Sequence, residues 1–349
     1  MKKIYYLILI IFFLITSCAS VQDSNASTAP QWVSNLESVY PSRDWVAVTA
    51  EGSNQQQAEA AAMNALARAF RTDVASLTQS SLQFTQIIDN SAENRSITFN
   101  ESRNFSQDVN VTANVRGLIG VQLETYRSAN TVYVNARMNR RECSARYSAM
   151  IRENTAIINR LLVSASAIQN RASFDVYSRL SFAHSVAQVT DNFQNILEVL
   201  DSSESARRPS YGGANAIRTR MIECASLITI GITVNTEQPA DRVLITRAAG
   251  SFFTELGFKI NENGAGNYVL NANVRFEDIS QNVFSCRYFI DASLSGSGAA
   301  VFSFTENDRK AHPNMAREAR RLAVRAVEDS FKEAQFAVEF NKWLFGMLE

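Results

Sequence analysis

Only two histidines occur in 349 residues, His184 in a helical stretch and His312 just before Pro313 at an expected helix start. They stand far apart, and neither has a motif cysteine, serine or glutamate beside it. Structural or surface roles are therefore expected of both, ahead of catalysis or metal binding. The chain also lacks a Walker pattern, Gly-x-Ser-x-Gly, His-Glu-x-x-His and Cys-x-x-Cys. Gly264 and Gly266 in "NENGAGN" have no helix close behind them, so they form a turn and not a phosphate loop. Excess charge of one sign is missing too, with 34 basic and 34 acidic side chains. Nucleic acid would ask for a strongly basic face, so it is not expected as a partner. Beyond the first residues no apolar run approaches transmembrane length. No catalytic residue, cofactor or metal is assigned, and a non-enzymatic protein is expected.

The N-terminus carries the strongest signal. Lys2 and Lys3 precede Ile4 to Ile15 (IYYLILIIFFLI), which is wholly apolar or aromatic. At about 1.5 Å per residue this run covers roughly 18 Å, short of a hydrocarbon core about 30 Å thick. Charged, apolar and small-residue zones in that order make a secretory signal. Its end, Ile15-Thr16-Ser17-Cys18, resembles the lipobox of bacterial lipoproteins. The resemblance implies a diacylglyceryl group on the Cys18 thiol, cleavage before Cys18, and acylation of the new amine by a fatty acid such as palmitate. A short membrane helix with an incidental cysteine, or ordinary secretion, are the plainer readings. Cleavage leaves 32 basic against 34 acidic side chains, a net charge of about −2. Ala19 to Ala29 (ASVQDSNASTA) is small and polar, and reads as a flexible tether. Ala19 is not the inner-membrane retention aspartate of enteric bacteria, which favours the periplasmic face of the outer membrane.

With Cys18 acylated, Cys143, Cys224 and Cys286 remain, an odd number that allows at most one disulfide. Burial as small apolar residues is the favoured reading, and a Cys143–Cys224 pair stays open.

About 320 ordered residues exceed what one core usually serves, so two domains are expected. Asp44 to Ala50 reads as a strand ended by Gly52. Ser53 and Gln56 fit a capping box opening a helix over Gln55 to Leu77. Met63, Leu66, Phe70, Val74 and Leu77 make its large apolar face, and Ala58, Ala62, Ala65 and Ala69 a small one beside it. A polar stretch, Asp89 to Glu101, precedes a strand in which Val109, Val111, Ala113 and Val115 alternate with polar residues. Leu118 to Tyr126 and Thr131 to Met138 form a hairpin around Ser128-Ala129-Asn130. A helix begins near Arg141, and Ala165 to Glu223 reads as helical with a loop over Ser202 to Gly213. Leu227 to Asn235 is a buried-type strand, followed by a helix from Ala240 to Leu256 that Gly257 stops. Strands over 258–260, 268–276, 283–294 and 299–304 precede a last helix over Pro313 to Leu348. Glu306 and Asp308 fall in a loop facing solvent, where a glycosidase-like pairing is disfavoured. The basic run Arg137, Arg140, Arg141 and Arg146 could contact phosphate or an anionic glycan. Its plainer reading is a solvated connection paired with Glu142.

"PQWV", "VAVTAEGSNQQQAEAAAMNALARAF" and "GLIGVQLETYRSANTVYVNARMNRRE" together resemble the LPP-twenty family of bacterial lipoproteins, to which the N-terminal domain of the flagellar assembly T protein is related. The likeness covers roughly Pro30 to Ala165 and implies an α+β domain, an antiparallel sheet packed by helices, on an envelope lipoprotein. "FFTELGFKI" with "GNYVLNANVRF" more loosely resembles domains of curli secretion subunits, lipoprotein activators of penicillin-binding proteins and the TolB N-terminal region. The expected organisation is a signal peptide (1–17), a lipidated tether (18–29), an LPP-twenty-like α+β domain (30–165), a helical bridge (166–224) and a C-terminal α+β domain (225–349). Fold class is thus α+β, two antiparallel sheet-and-helix domains joined by helices. The function expected is a lipid-anchored envelope scaffold with a protein partner and the membrane, held through Cys18. Alternatives are an accessory part of a flagellar, secretion or peptidoglycan-synthesis machine, and, from another class, a cell-wall hydrolase.

Overall fold

A computed structural model describes residues 29–70, 118–280, 284–312, 315–332 and 335–348. The polar stretch Asp89–Glu101 and the strand through Val109–Val115 lie outside these, as do Val74 and Leu77.

The folded chain starts with two single-turn helices, α1 (Gln31–Ser34) and α2 (Leu36–Val39), then strand β1 (Trp45–Gly52) and helix α3 (Gln55–Ala69). Strands β2 (Gln122–Ser128) and β3 (Thr131–Asn139) form the expected hairpin, turning on Ala129-Asn130 with Ala129 at φ 46°. Together they make a three-stranded antiparallel sheet in the order β1-β3-β2. Period-two alternation sends Val132, Val134, Ala136 and Met138 of β3 to one face, where α3 lies on them with Ala58, Ala62, Met63 and Leu66. The close approach depends on small groups: a Cβ on Gly52 would stand 2.6 Å from the Ala58 backbone nitrogen. Two details differ from expectation. The residue capping α3 is Asn54, whose side chain accepts from Gln57 N at 2.9 Å, because the strand runs through Gly52 and shifts the cap by one position. Ala69 is exposed and Ala65 half-buried, so the small stripe packs mainly through Ala58 and Ala62.

Next come two long helices, α4 (Arg140–Ala167, 28 residues) and α5 (Phe174–Leu200, 27 residues). At 1.5 Å per residue each is about 40 Å long. Arg140 meets Val199 and Leu200, and Asn154 meets Thr190, so the helices run antiparallel. After α6 (Ser202–Ser205), α7 (Ala214–Leu227) packs against α5.

The second sheet contains β4 (Thr229–Asn235), β5 (Lys259–Asn261), β6 (Tyr268–Ser280), β7 (Phe284–Gly296) and β8 (Ala299–His312), in the order β5-β4-β6-β7-β8. Its arrangement corrects the antiparallel expectation. β4 pairs parallel to both β5 and β6, and only β6-β7-β8 is an antiparallel meander. The cause is helix α8 (Pro239–Glu255), which carries the chain from β4 back to start a parallel strand. Gly257, at φ 89°, ends that helix as expected. β8 extends to His312, so Glu306 and Asp308 lie in a strand and not in a loop. The last helical region is two helices, α9 (Ala316–Lys332) and α10 (Gln335–Gly346). Phe252, Phe302, Phe336 and Phe340 pack mostly edge to face, with centroids 5.2–6.2 Å apart.

Buried residues fall into two clusters. One surrounds the first sheet and the Phe182–Leu200 part of α5. The other surrounds the second sheet and takes Phe174, Val176, Tyr177 and Leu180 of the same helix. α10 also serves both, with Phe336, Phe340 and Leu344 in the second cluster and Phe345 in the first. The α+β class follows from these layers.

The tight α3–sheet contact makes a test. Ala62→Leu, at a fully buried position, is expected to cost about 1–3 kcal/mol by overpacking. Its urea midpoint should fall at constant m, while Ala69→Leu stays within about 0.5 kcal/mol of the parent. Equal effects at the two alanines would contradict this packing.

Candidate functional site

Cys18, the signal peptide and nearly all of the tether lie outside the described residues. The structure does show where the tether reaches the body. α1 buries Trp32 to 3% exposure, and Asn35 caps α2 by accepting from Ser38 N at 3.2 Å. Both turns lie on the sheet face opposite α3, the face that bears Glu124, its cross-strand partner Asn135, and Arg137. Glu124 is the hub. Its carboxylate accepts from Trp32 Nε1 at 2.8 Å, from Tyr40 Oη at 2.8 Å and from Arg137 Nη1 at 2.7 Å. The Arg137 guanidinium stands 4.4 Å from the Tyr40 ring centroid and 6.0 Å from that of Trp45. It also donates to Asn135 Oδ1 at 3.1 Å.

The electrostatics agree with these donor directions. Burial pushes the Glu124 carboxyl up, but the bonds from Tyr40, Trp32 and Arg137, with the Arg137 charge, outweigh it and hold the group below its ordinary value. Tyr40 moves the other way, raised by burial and by its bond to Glu124. At neutral pH the pair is an ionised acceptor and a protonated donor.

The basic run divides its labour. Arg137 belongs to the hub. Arg140 donates to Ser42 O at 2.7 Å, to Leu200 O at 3.3 Å and to Val199 O, satisfying carbonyls left free at the end of α5. Glu142 pairs with none of these arginines; its amide donates to Asn139 Oδ1, the cap of α4. An open cleft of about 600 Å³ lies here between Arg43, Trp45, Arg141, Leu200 and Asp201. Asp44 and Glu142 share its lining, so the charge is mixed.

Cys143, Cys224 and Cys286 are buried free thiols. The conceivable Cys143–Cys224 bridge is absent because the two belong to different cores. Burial pushes Cys224 up to about 11 and Cys286 up to about 12, so neither is a thiolate at neutral pH. His184 is half-buried on α5, its pKa lowered by burial and by Arg218 against an opposing pull from Asp191. His312 ends β8, where Nδ1 accepts from Met315 N at 3.2 Å just ahead of α9. Glu306 accepts from Tyr288 Oη at 2.9 Å and Ser330 Oγ at 3.0 Å, tying β8 to β7 and α9. Asp308 pairs with Lys310 on its own strand. Among the described residues no group of three or more His, Cys, Asp or Glu side chains could hold a metal ion.

Sequence reading found Trp32 as part of a pattern but missed Glu124 and Tyr40. Their partners lie 92 and 84 residues away along the chain, beyond the reach of any local spacing.

No protein-family model matches the chain, and no curated protein does. Among solved structures it is similar to lipoprotein GNA1162 from Neisseria meningitidis, at 13% identity over 29% of this chain and 96% of that one, with a TM-score of 0.22. A minor lipoprotein from Acinetobacter baumannii gives 13%, 30%, 85% and 0.23 on the same measures. The secreted protein HP1454 from Helicobacter pylori gives 12%, 83%, 99% and 0.35.

Two outcomes are expected. Glu124→Ala strands two part-buried donors and one guanidinium, and should cost about 2 kcal/mol. Limited proteolysis should then cut within Pro30–Tyr40 while the rest stays resistant; an unchanged urea midpoint and cleavage pattern would remove the hub from the account. His184 works through pH. Its folded pKa lies below the ordinary 6.5, so the unfolded chain binds more protons once pH falls below that value. Stability is therefore full above about pH 6.5 and declines on acidification toward the folded pKa. Denaturant midpoints at pH 7.5 and 5.5 should fall less in His184→Gln than in the parent.

Proposed function

We propose that the protein is a lipid-anchored bacterial envelope protein whose body is a non-enzymatic interaction module. The observation that carries this reading is Ile15-Thr16-Ser17-Cys18 at the close of a short apolar run, followed by a polar tether. Each buried methylene contributes about 0.8 kcal/mol, so one acyl chain holds marginally and two or three hold stably. No helix among the described residues is long and apolar enough to cross a membrane; the anchor in this reading is the covalent lipid on Cys18.

The tether length bears on reach. Eleven residues from Ala19 to Ala29 give a flexible chain an r.m.s. span of about 20 Å and a limit of about 38 Å. The body thus works close to the bilayer. At the end of the tether Trp32 and Tyr40 fasten to Glu124, so a pull on the lipid reaches a built contact and not a loose end. Support for protein contact comes from β8, whose outer edge is unpaired among the described residues. Such an edge offers backbone groups to an added strand. Its charged half, Glu306 to Lys310, guards against indiscriminate pairing. With Ala19 behind the cysteine, the periplasmic face of the outer membrane is the favoured location.

Metabolic labelling with an alkyne fatty acid tests the anchor. Parent protein should be labelled and fractionate with membranes, and Cys18→Ala should be unlabelled and either soluble or unprocessed. Label that survives in Cys18→Ala would defeat the proposal. For the scaffold role, crosslinked envelopes should yield defined partners that are lost when β8 carries Ser303→Pro; recovery of none would count against it.

A further inference from the structure

A cleft apart from the Glu124 hub combines apolar walls with charge. A half-enclosed cavity of about 230 Å³ lies where the end of α4, the 168–173 connection, the start of α5 and α7 meet. Ala165, Val176, Leu180 and Leu227 give it apolar walls. The Cys224 thiol also lines it and is already satisfied, donating to the carbonyls of Arg171 and Ser173 at 3.3 and 3.9 Å. Arg171, Arg220 and Glu223 supply the charge. Neither arginine has an ion-pair partner among the described residues, and Arg220 reaches only Ser166 Oγ at 3.2 Å.

Apolar walls beside two guanidinium groups that make no ion pair suit a molecule with an aliphatic chain and an anionic head. Guanidinium donors match a carboxylate fork for fork. One glutamate leaves a single positive surplus, which suits a monoanion. Size narrows the choice further. At about 30 Å³ for each water-sized group the cavity has room for about eight carbons, too little for a lipid with two acyl chains. We propose that this cleft binds an unbranched aliphatic carboxylate of about eight carbons. Its chain lies against Leu180 and Leu227 and its head on Arg171 and Arg220.

The test uses the full chain in phosphatidylcholine nanodiscs, with empty nanodiscs as the blank. Titration calorimetry with butanoate, hexanoate, octanoate and decanoate should show affinity rising about fourfold per methylene and levelling near octanoate. Octylammonium should not bind. The double variant Arg171→Gln with Arg220→Gln should weaken octanoate by about tenfold or more. As a second readout, octanoate should slow iodoacetamide alkylation of Cys224 at pH 9, mapped by peptide mass, and leave Cys143 and Cys286 unchanged. Affinity indifferent to chain length, equal binding of octylammonium, or equal protection of all three thiols would overturn the assignment. So would protection of Cys224 by phosphatidylglycerol nanodiscs without octanoate, which would make the ligand a membrane lipid.

Discussion

The packing of α4 along α5 is the contact on which the rest of the architecture depends. Each helix is long enough to pass from one sheet to the other, and α5 changes cores between Leu180 and Phe182 without breaking its hydrogen-bond ladder. A rigid rod buried at both ends couples two sheets that share no strands. Arg140 at one end and the Asn154–Thr190 bond midway hold the register. Through Phe336, Phe340 and Phe345, α10 closes the same span from the far end of the chain.

On the first sheet this support has a direct consequence. Its inner face is filled by α3 and the α4–α5 pair, so the opposite face is free to receive the chain's first folded turns. Glu124 draws them in with three charge-assisted or part-buried hydrogen bonds, each stronger for the shelter of the Trp32, Tyr40 and Trp45 rings. Two helical turns of four residues would not hold alone, since so short a helix is unstable without tertiary contact.

Several chemistry-bearing side chains are held in structural contacts. Cys143 is buried in the first core and Cys224 and Cys286 in the second, His312 receives a backbone amide, and Glu306 bolts β8 to its neighbours. Arg171 and Arg220, beside an apolar hollow, have no ion-pair partner among the described residues.

Much of the fold was legible beforehand, because it rests on local rules. Alternation in Thr131–Met138, the two-residue turn at Ala129-Asn130, the alanines of α3 and the stop at Gly257 each involve neighbours along the chain. The lipobox is likewise a string of adjacent residues. Loops and strand ends were less legible: the same residues that suggest a solvated turn around Glu306 and Asp308 continue β8, since pairing with β7 decides. Only the tertiary structure could make β4 parallel to its partners, cap α5 with Arg140 from 60 residues away, and bring Trp32 to Glu124. Such contacts join positions whose separation carries no period, and the free energy that selects them comes from burial after the chain has closed on itself.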